Sequence, residues 1–253
     1  MGVRKDRTGE KKLNNFGSQM VITQYFSCYD MNVYFPQYNW TAERISYNNF
    51  KAGRVLCPYE RRVHGIGYIG EGKHDYYVNG KPTVAYSKWK DMLQRCYDEK
   101  MHKKYPTYKD CSVCEEWHNF QNFAQWCEEH YYEIEGHIME LDKDILFKNN
   151  KIYSPNTCVF VPHNINVLFV KSNKARSDTP IGVHKRTNTY QVKCNNGKGK
   201  YIHVGMYDNP IKAFEEYKKY KEQVIKNIAN EYKELIPQEL YNAMCNYQVD
   251  IND

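Results

Sequence analysis

Residues 181–217 read IGVHKRTNTYQVKCNNGKGKYIHVGMYDNPIKAFEEY. Apolar and polar residues alternate in Ile181–Arg186, Tyr190–Cys194 and Tyr201–Gly205, the period of a strand with one buried face. Thr187–Asn188 and Asn196–Gly197 supply the tight turns between them. Asp208 or Asn209 is placed to cap a helix with Pro210 in its first turn. Ala213, Tyr217, Tyr220, Val224 and Ile228 then recur at helical spacing. The expectation is three antiparallel strands packed on one long helix. With Val183, Tyr190, Val192, Cys194, Ile202 and Val204 turned inward, alternation sends His184, Arg186, Gln191, Lys193, Tyr201 and His203 outward together.

Working outward, charge marks the same region. Lys171, Lys174, Arg176, Lys185, Arg186, Lys193, Lys198 and Lys200 face a single acid, Asp178, between Lys171 and His203. Cations interleaved with aromatic and amide side chains are the footprint of nucleic-acid binding; the competing reading is a solvated face. Residues 171–180 form a basic linker without periodicity. Between Cys111 and Phe147 the sign reverses, nine acids against one base, which suits a cation site or again a solvated face.

Upstream, Tyr86, Trp89, Met92, Leu93, Cys96 and Tyr97 share one helical face, and Phe120, Phe123, Trp126 and Cys127 share another. His137–Asp142 and Cys158–Val161 are strand candidates, and Pro162 suits the first turn of a helix over His163–Val170. Residues 1–62 carry strand-period runs at 20–25, 31–35 and 43–47, expected to form a small β-barrel-like module. The Gly-rich linker 63–84 contains a formal GxGxxG at Gly65, Gly67 and Gly70. It lacks the preceding buried strand and the following helix that a dinucleotide loop needs, so the motif is rejected.

Two resemblances sharpen this. The Ile181–Gly182–Val183 opening, the Tyr190–Lys193 strand, the Val204–Tyr207 turn, Asn209–Pro210 and the Ala213–Tyr217 helix resemble the DNA-binding domain of ethylene-response factors, found also in phage integrases and homing endonucleases. The resemblance implies a sheet laid in the major groove of duplex DNA, with Lys171, Lys174, Arg176, His184, Lys185, Arg186, Gln191, Lys193, Tyr201 and His203 as contact residues. The segment from Ala85 to Ser172 resembles phage HNH endonucleases of the ββα-metal type, through Trp89-x-x-Met92-x-x-Arg95-Cys96-Tyr97, Cys114–Trp117, Leu141–Asp144 and Tyr153-Ser154-Pro155-x-x-Cys158. In that family a strand ends in Asp-His, the Asp binding a divalent metal and the His activating water. A loop Asn supports the His, and a helix residue completes the site. Carried over, the metal ligands fall on Asp142 and Asn166, the catalytic His position holds Lys143, and the loop Asn position holds Thr157. A lysine ordinarily titrates near 10.4, too high for a general base at neutral pH. Either Asp144, His137 or His163 is the base, or Lys143 only stabilises phosphate charge, or the hairpin does not cleave.

The expected protein is therefore α+β and multidomain. A β module (1–62) and linker (63–84) precede an HNH-like ββα-metal domain with flanking helices (85–170), the basic linker, and a three-stranded antiparallel sheet packed on a helix (181–253). It would be a sequence-selective, nicking endonuclease using Mg²⁺ or another divalent cation, acting on double-stranded DNA as a monomer. The alternative is a degenerate HNH protein serving as a DNA-binding regulator or platform. Cys111-x-x-Cys114 has zinc-ligand spacing, with Cys96, His118 or Cys158 to complete four ligands; small apolar burial is the other reading. Nine cysteines without a framework, no apolar run near 20 residues and no signal-like N-terminus suggest a cytoplasmic, DNA-associated protein of a bacterial or phage-infected cell, with no membrane and no small-molecule cofactor. Lys 27 against Arg 9, with abundant Asn and Tyr, suggests an AT-rich genome.

Overall fold

Strand alternation begins early. Met20 and Ile22 on one strand and Met31, Val33 and Phe35 on the next all turn inward and are fully buried. They lie in β2 (Gln19–Ser27) and β3 (Asp30–Phe35), flanked by β1 (Lys11–Leu13) and β4 (Trp40–Ala42) in the antiparallel order β1-β2-β3-β4. The computed structural model describes residues 5–170 and 179–251. The chain divides into two compact units, Met1–Glu129 and His130–Asp253.

In the first unit the sheet is an open meander with β1 and β4 as its edges, in place of the expected barrel-like closure. The expected strand at 43–47 does not form. Arg44 takes a left-handed φ of 56°, which breaks extended backbone, and Ser46 then caps α1 (Tyr47–Lys51) by accepting from the Asn49 N–H. A hairpin, β5 (Tyr77–Val78) and β6 (Lys81–Pro82), leads into α2 (Val84–Tyr97), which buries Trp89, Met92, Leu93 and Cys96 as its spacing predicts. Gly67 of the rejected motif packs directly on α2. A Cβ there would collide with Leu93 and lie 2.7 Å from the Trp89 ring, so glycine is needed for close approach. After α3 (Glu99–Lys104) and β7 (Ser112–Val113) comes α4 (Phe120–His130), burying Phe120, Phe123, Ala124, Trp126 and Cys127.

The second unit opens with β8 (Met139–Asp142), followed by β9 (Ile152–Tyr153), β10 (Val159–Pro162) and the four-residue α5 (His163–Asn166). β8 pairs antiparallel with β10, Asp142 opposite Val159 and Glu140 opposite Val161. Then come β11 (Val183–Lys185), β12 (Tyr190–Asn195) and β13 (Tyr201–Tyr207), one antiparallel sheet in that order. α6 (Pro210–Glu231) follows, with Asn209 Oδ1 accepting from the Ile211 and Lys212 N–H groups and Pro210 in the first turn. α7 (Gln238–Cys245) starts after Pro237.

α6 serves two cores. Its first half buries Ala213, Phe214 and Tyr217 against Val183, Val192 and Cys194 of the sheet. Its second half packs Val224, Ile225, Ile228 and Ala229 against Val159, Val161, Ile165 and Leu168, with Leu240 and Met244 of α7. Full burial of each such aliphatic side chain contributes about 1.5–3 kcal/mol. The sheet and the β8–β10 hairpin are thus fastened to one rod of 22 residues, roughly 33 Å long. Among the described residues no helix is long and apolar enough to cross a membrane.

The glycine that opens the sheet is held by α6. Gly182 has φ 75°, and a Cβ there would run into the Tyr217 ring. Gly199 has φ 77° with nothing within 4 Å. Gly199→Ala should therefore cost only the left-handed strain of about 1–2 kcal/mol, while Gly182→Ala should add about 1–3 kcal/mol of overpacking. Equal denaturation midpoints for the two variants would contradict this packing.

Candidate active site and nucleic-acid interface

Asp142 closes β8, and its Oδ1 accepts from the backbone N–H groups of Asp144 and Ile145, each at 2.8 Å. These bonds turn the chain out of the strand into the 143–158 loop. Asn150 ties the loop internally: its Nδ2 donates to the Lys143 and Ile152 carbonyls at 2.7 Å, and its Oδ1 accepts from the Ile152 N–H. Support for the backbone at 143 thus comes from Asn150. Thr157, at the position expected for that role, instead donates to the Ile152 carbonyl at 2.8 Å and bonds the Ser154 hydroxyl.

Charge is concentrated at the loop entry. Burial, and then the neighbouring Asp144 carboxylate, push Asp142 up to about 6, against the two backbone donors and Lys143. Lys143 points inward, its side chain 7% exposed, with Nζ 3.2 Å from Asp144 Oδ2 and over the Tyr153 ring. It is an internal counter-charge for the aspartate pair.

Glu140, two residues before Asp142 and on the same strand face, organises α5. Its Oε1 accepts from His163 Nδ1 at 2.7 Å, and its Oε2 accepts from Asn166 Nδ2. No motif marks Glu140 in the sequence, although the parity of the expected 137–142 strand sets it beside Asp142. His137 is engaged elsewhere, Nδ1 with Asn164 Oδ1 at 3.1 Å and Nε2 with the Tyr232 hydroxyl at 3.3 Å.

Among the described residues no disulfide is formed. Cys96 and Cys111 are buried and Cys114 half-buried in the first unit; Cys158 is buried in the second. Burial raises the Cys114 thiol and pushes Cys158 up to about 12. Among the described residues no group of three or more His, Cys, Asp or Glu is arranged to hold a metal ion.

On the sheet, the outward residues meet as alternation predicts. Arg186 donates to Gln191 Oε1 through Nε at 3.1 Å and Nη2 at 2.5 Å. That fixes the amide so that its Nε2 faces His203 Nδ1, 3.3 Å away. Lys193 pairs in register with His203, His184 with Gln191, and exposed Tyr201 with Asn195. Lys185 pairs with Tyr190, on the helix side by alternation, and is exposed at the strand end. A bulge shifts the register between Val192 and Lys193, which brings Met206 opposite Gln191 and onto the outward face. Ile202, expected inside, is 37% exposed. Lys171, Lys174 and Arg176 lie outside the described residues.

Comparison of the chain with models of protein families, with curated proteins and with solved structures finds no match.

Proposed function

We propose that this protein binds duplex DNA through the β11–β13 face and hydrolyses a phosphodiester bond with the β8–β10–α5 hairpin, as an HNH-type, sequence-selective nicking endonuclease associated with the DNA of its cell. The observation that carries the reading is the cationic, amide-bearing sheet face, Arg186–Gln191–His203 with Lys193 and His184, fastened to the same helix as a two-strand-and-helix hairpin bearing Asp142 and Asn166. Cationic and amide side chains on a β-ribbon read base edges in a major groove.

The hairpin suits a hard divalent cation such as Mg²⁺. Mg²⁺ keeps several waters and takes one or two carboxylates plus substrate phosphate. Asp142 is a carboxylate whose charge is disfavoured by burial and by Asp144, a situation a cation relieves. Asn166 spends its amide N–H on Glu140, which leaves its Oδ1 for the cation. When bound, the cation would supply Lewis-acid stabilisation of the phosphoryl and leaving oxygens. The chain's own part is to hold the loop through Asn150, to aim Asn166 through Glu140, and to grip the duplex on the sheet.

One observation favours a second reading, a DNA-binding regulator or platform that does not cleave: Lys143 sits inside the loop, paired with Asp144, at the position of the family's catalytic His. Fluorescence anisotropy on duplex DNA and nicking of supercoiled plasmid with Mg²⁺ or Mn²⁺ against EDTA separate the two. The endonuclease predicts salt-sensitive binding and cation-dependent open circles. Binding without any nicking on varied DNA establishes the platform, and no binding to duplex overturns both.

A further inference from the structure

A hydrolytic hairpin with lysine in place of the catalytic His needs another group to take the proton from water. Three titratable groups are candidates, and the hydrogen bonds separate them. Asp144 accepts from Lys143 Nζ, and both nitrogens of His137 are engaged by Asn164 and Tyr232. His163 differs. A carboxylate oxygen accepts, so in the neutral ring the 2.7 Å bond to Glu140 Oε1 places the imidazole proton on Nδ1. That leaves Nε2 as a bare lone pair on a side chain 58% exposed, with no hydrogen-bond partner among the described residues.

We propose that His163 is the water-activating base of this protein and that Glu140 is its positioning residue, which also aims Asn166. The inference rests on the hydrolytic reading above. One carboxylate orders both α5 groups: Oε1 fixes the His163 tautomer and stabilises the imidazolium that forms, while Oε2 holds Asn166, three residues and about one turn further along α5. Asp142 lies two residues along the same face of β8, roughly 7 Å by strand rise. In the step itself, a water proton passes to His163 Nε2 as the water oxygen bonds to phosphorus. The bond from phosphorus to the leaving deoxyribose oxygen breaks, and that oxygen takes a proton from solvent. Imidazole is the side chain suited to this work near neutral pH.

The test uses the full chain with Mn²⁺ and supercoiled plasmid under single-turnover conditions. His163→Ala should slow nicking by about 10²–10⁴-fold with DNA affinity unchanged. Glu140→Ala should slow it as well, and Glu140→Asp should recover part of the loss. Independently of cleavage, ¹⁵N-histidine spectra, assigned by the resonances missing from His163→Ala, should show His163 protonated at Nδ1 in the wild type. Glu140→Ala should return it to the ordinary tautomer mixture. Wild-type nicking that His163→Ala changes less than threefold overturns the base assignment and leaves the endonuclease standing. A wild-type His163 protonated at Nε2 overturns it on geometry alone. Absence of nicking by the wild type removes the hydrolytic reading and the base role together, even with the Nδ1 tautomer in place.

Discussion

Asp142→Asn is expected to abolish cation-dependent nicking and, in the same molecule, to stabilise the metal-free chain at neutral pH. The two effects share one cause. In the folded chain, burial and Asp144 raise Asp142 from its ordinary 3.8 to about 6. A folded-state value above the unfolded one means that the fold holds the proton more tightly. The associated stability is therefore fully present below about pH 4 and is lost as pH rises through about 6. Above that, the charged aspartate is a net cost of up to about 3 kcal/mol, since each tenfold change in proton affinity corresponds to about 1.36 kcal/mol. Asparagine keeps the Oδ1 that accepts from Asp144 and Ile145 and removes the charge. Urea denaturation in EDTA should show the variant about 1–3 kcal/mol more stable at pH 7.5 and no different at pH 3.5. Adding Mg²⁺ should reverse the order, since only the wild type retains a charged anchor for the cation. Nicking should fall on the order of a thousandfold, several kcal/mol of missing charge stabilisation. A variant destabilised equally at both pH values would show Asp142 to be a structural residue only.

The features legible in the sequence are those written locally. The sheet follows from period-two alternation and the Asn196–Gly197 turn, and α6 from Asn209–Pro210 and a helical apolar stripe. Each signal lies within the element it describes. The bulge after Val192 is invisible to strict alternation because it adds one residue to one strand, so Met206 emerges on the outward face. Arg44 shows the same limit at a single backbone angle: nothing in the run 43–47 announces a left-handed residue. The candidate site is legible in half. Asp142, His163 and Asn166 stand out in the sequence, but Glu140 meets His163 only because β10 returns the chain 23 residues later. Asn150 is one of two adjacent asparagines in an ordinary-looking loop, and its role depends on which carbonyls the loop closure brings to it. The acidic run from 111 to 147, a single feature in the sequence, is divided between the two units.

Replacing Arg186 and Lys193 together with alanine is expected to remove most discrimination between a selected duplex site and random DNA. Both residues project from the outward face, Arg186 locked to Gln191 and Lys193 opposite His203. Gln191 Oε1 takes two guanidinium N–H groups, so the Arg186 head is already held on the outward face of the sheet. Less side-chain entropy then has to be given up on binding, and a planar fork is ready to exchange the amide for a guanine edge. Each bidentate base contact contributes about 1–3 kcal/mol of discrimination. The double variant should therefore bind a site selected from a random library roughly 10²–10⁴-fold more weakly, with a far smaller change on random duplex. Lys171 and Lys174, from the basic linker, should behave in the opposite way. Their replacement should weaken both duplexes alike and flatten the salt dependence by about 0.9 in log affinity per log salt for each phosphate no longer neutralised. Anisotropy titrations at several salt concentrations on the two duplexes distinguish these outcomes. Equal weakening on both duplexes for Arg186→Ala/Lys193→Ala would make the sheet a phosphate-tracking surface and move sequence reading elsewhere in the chain.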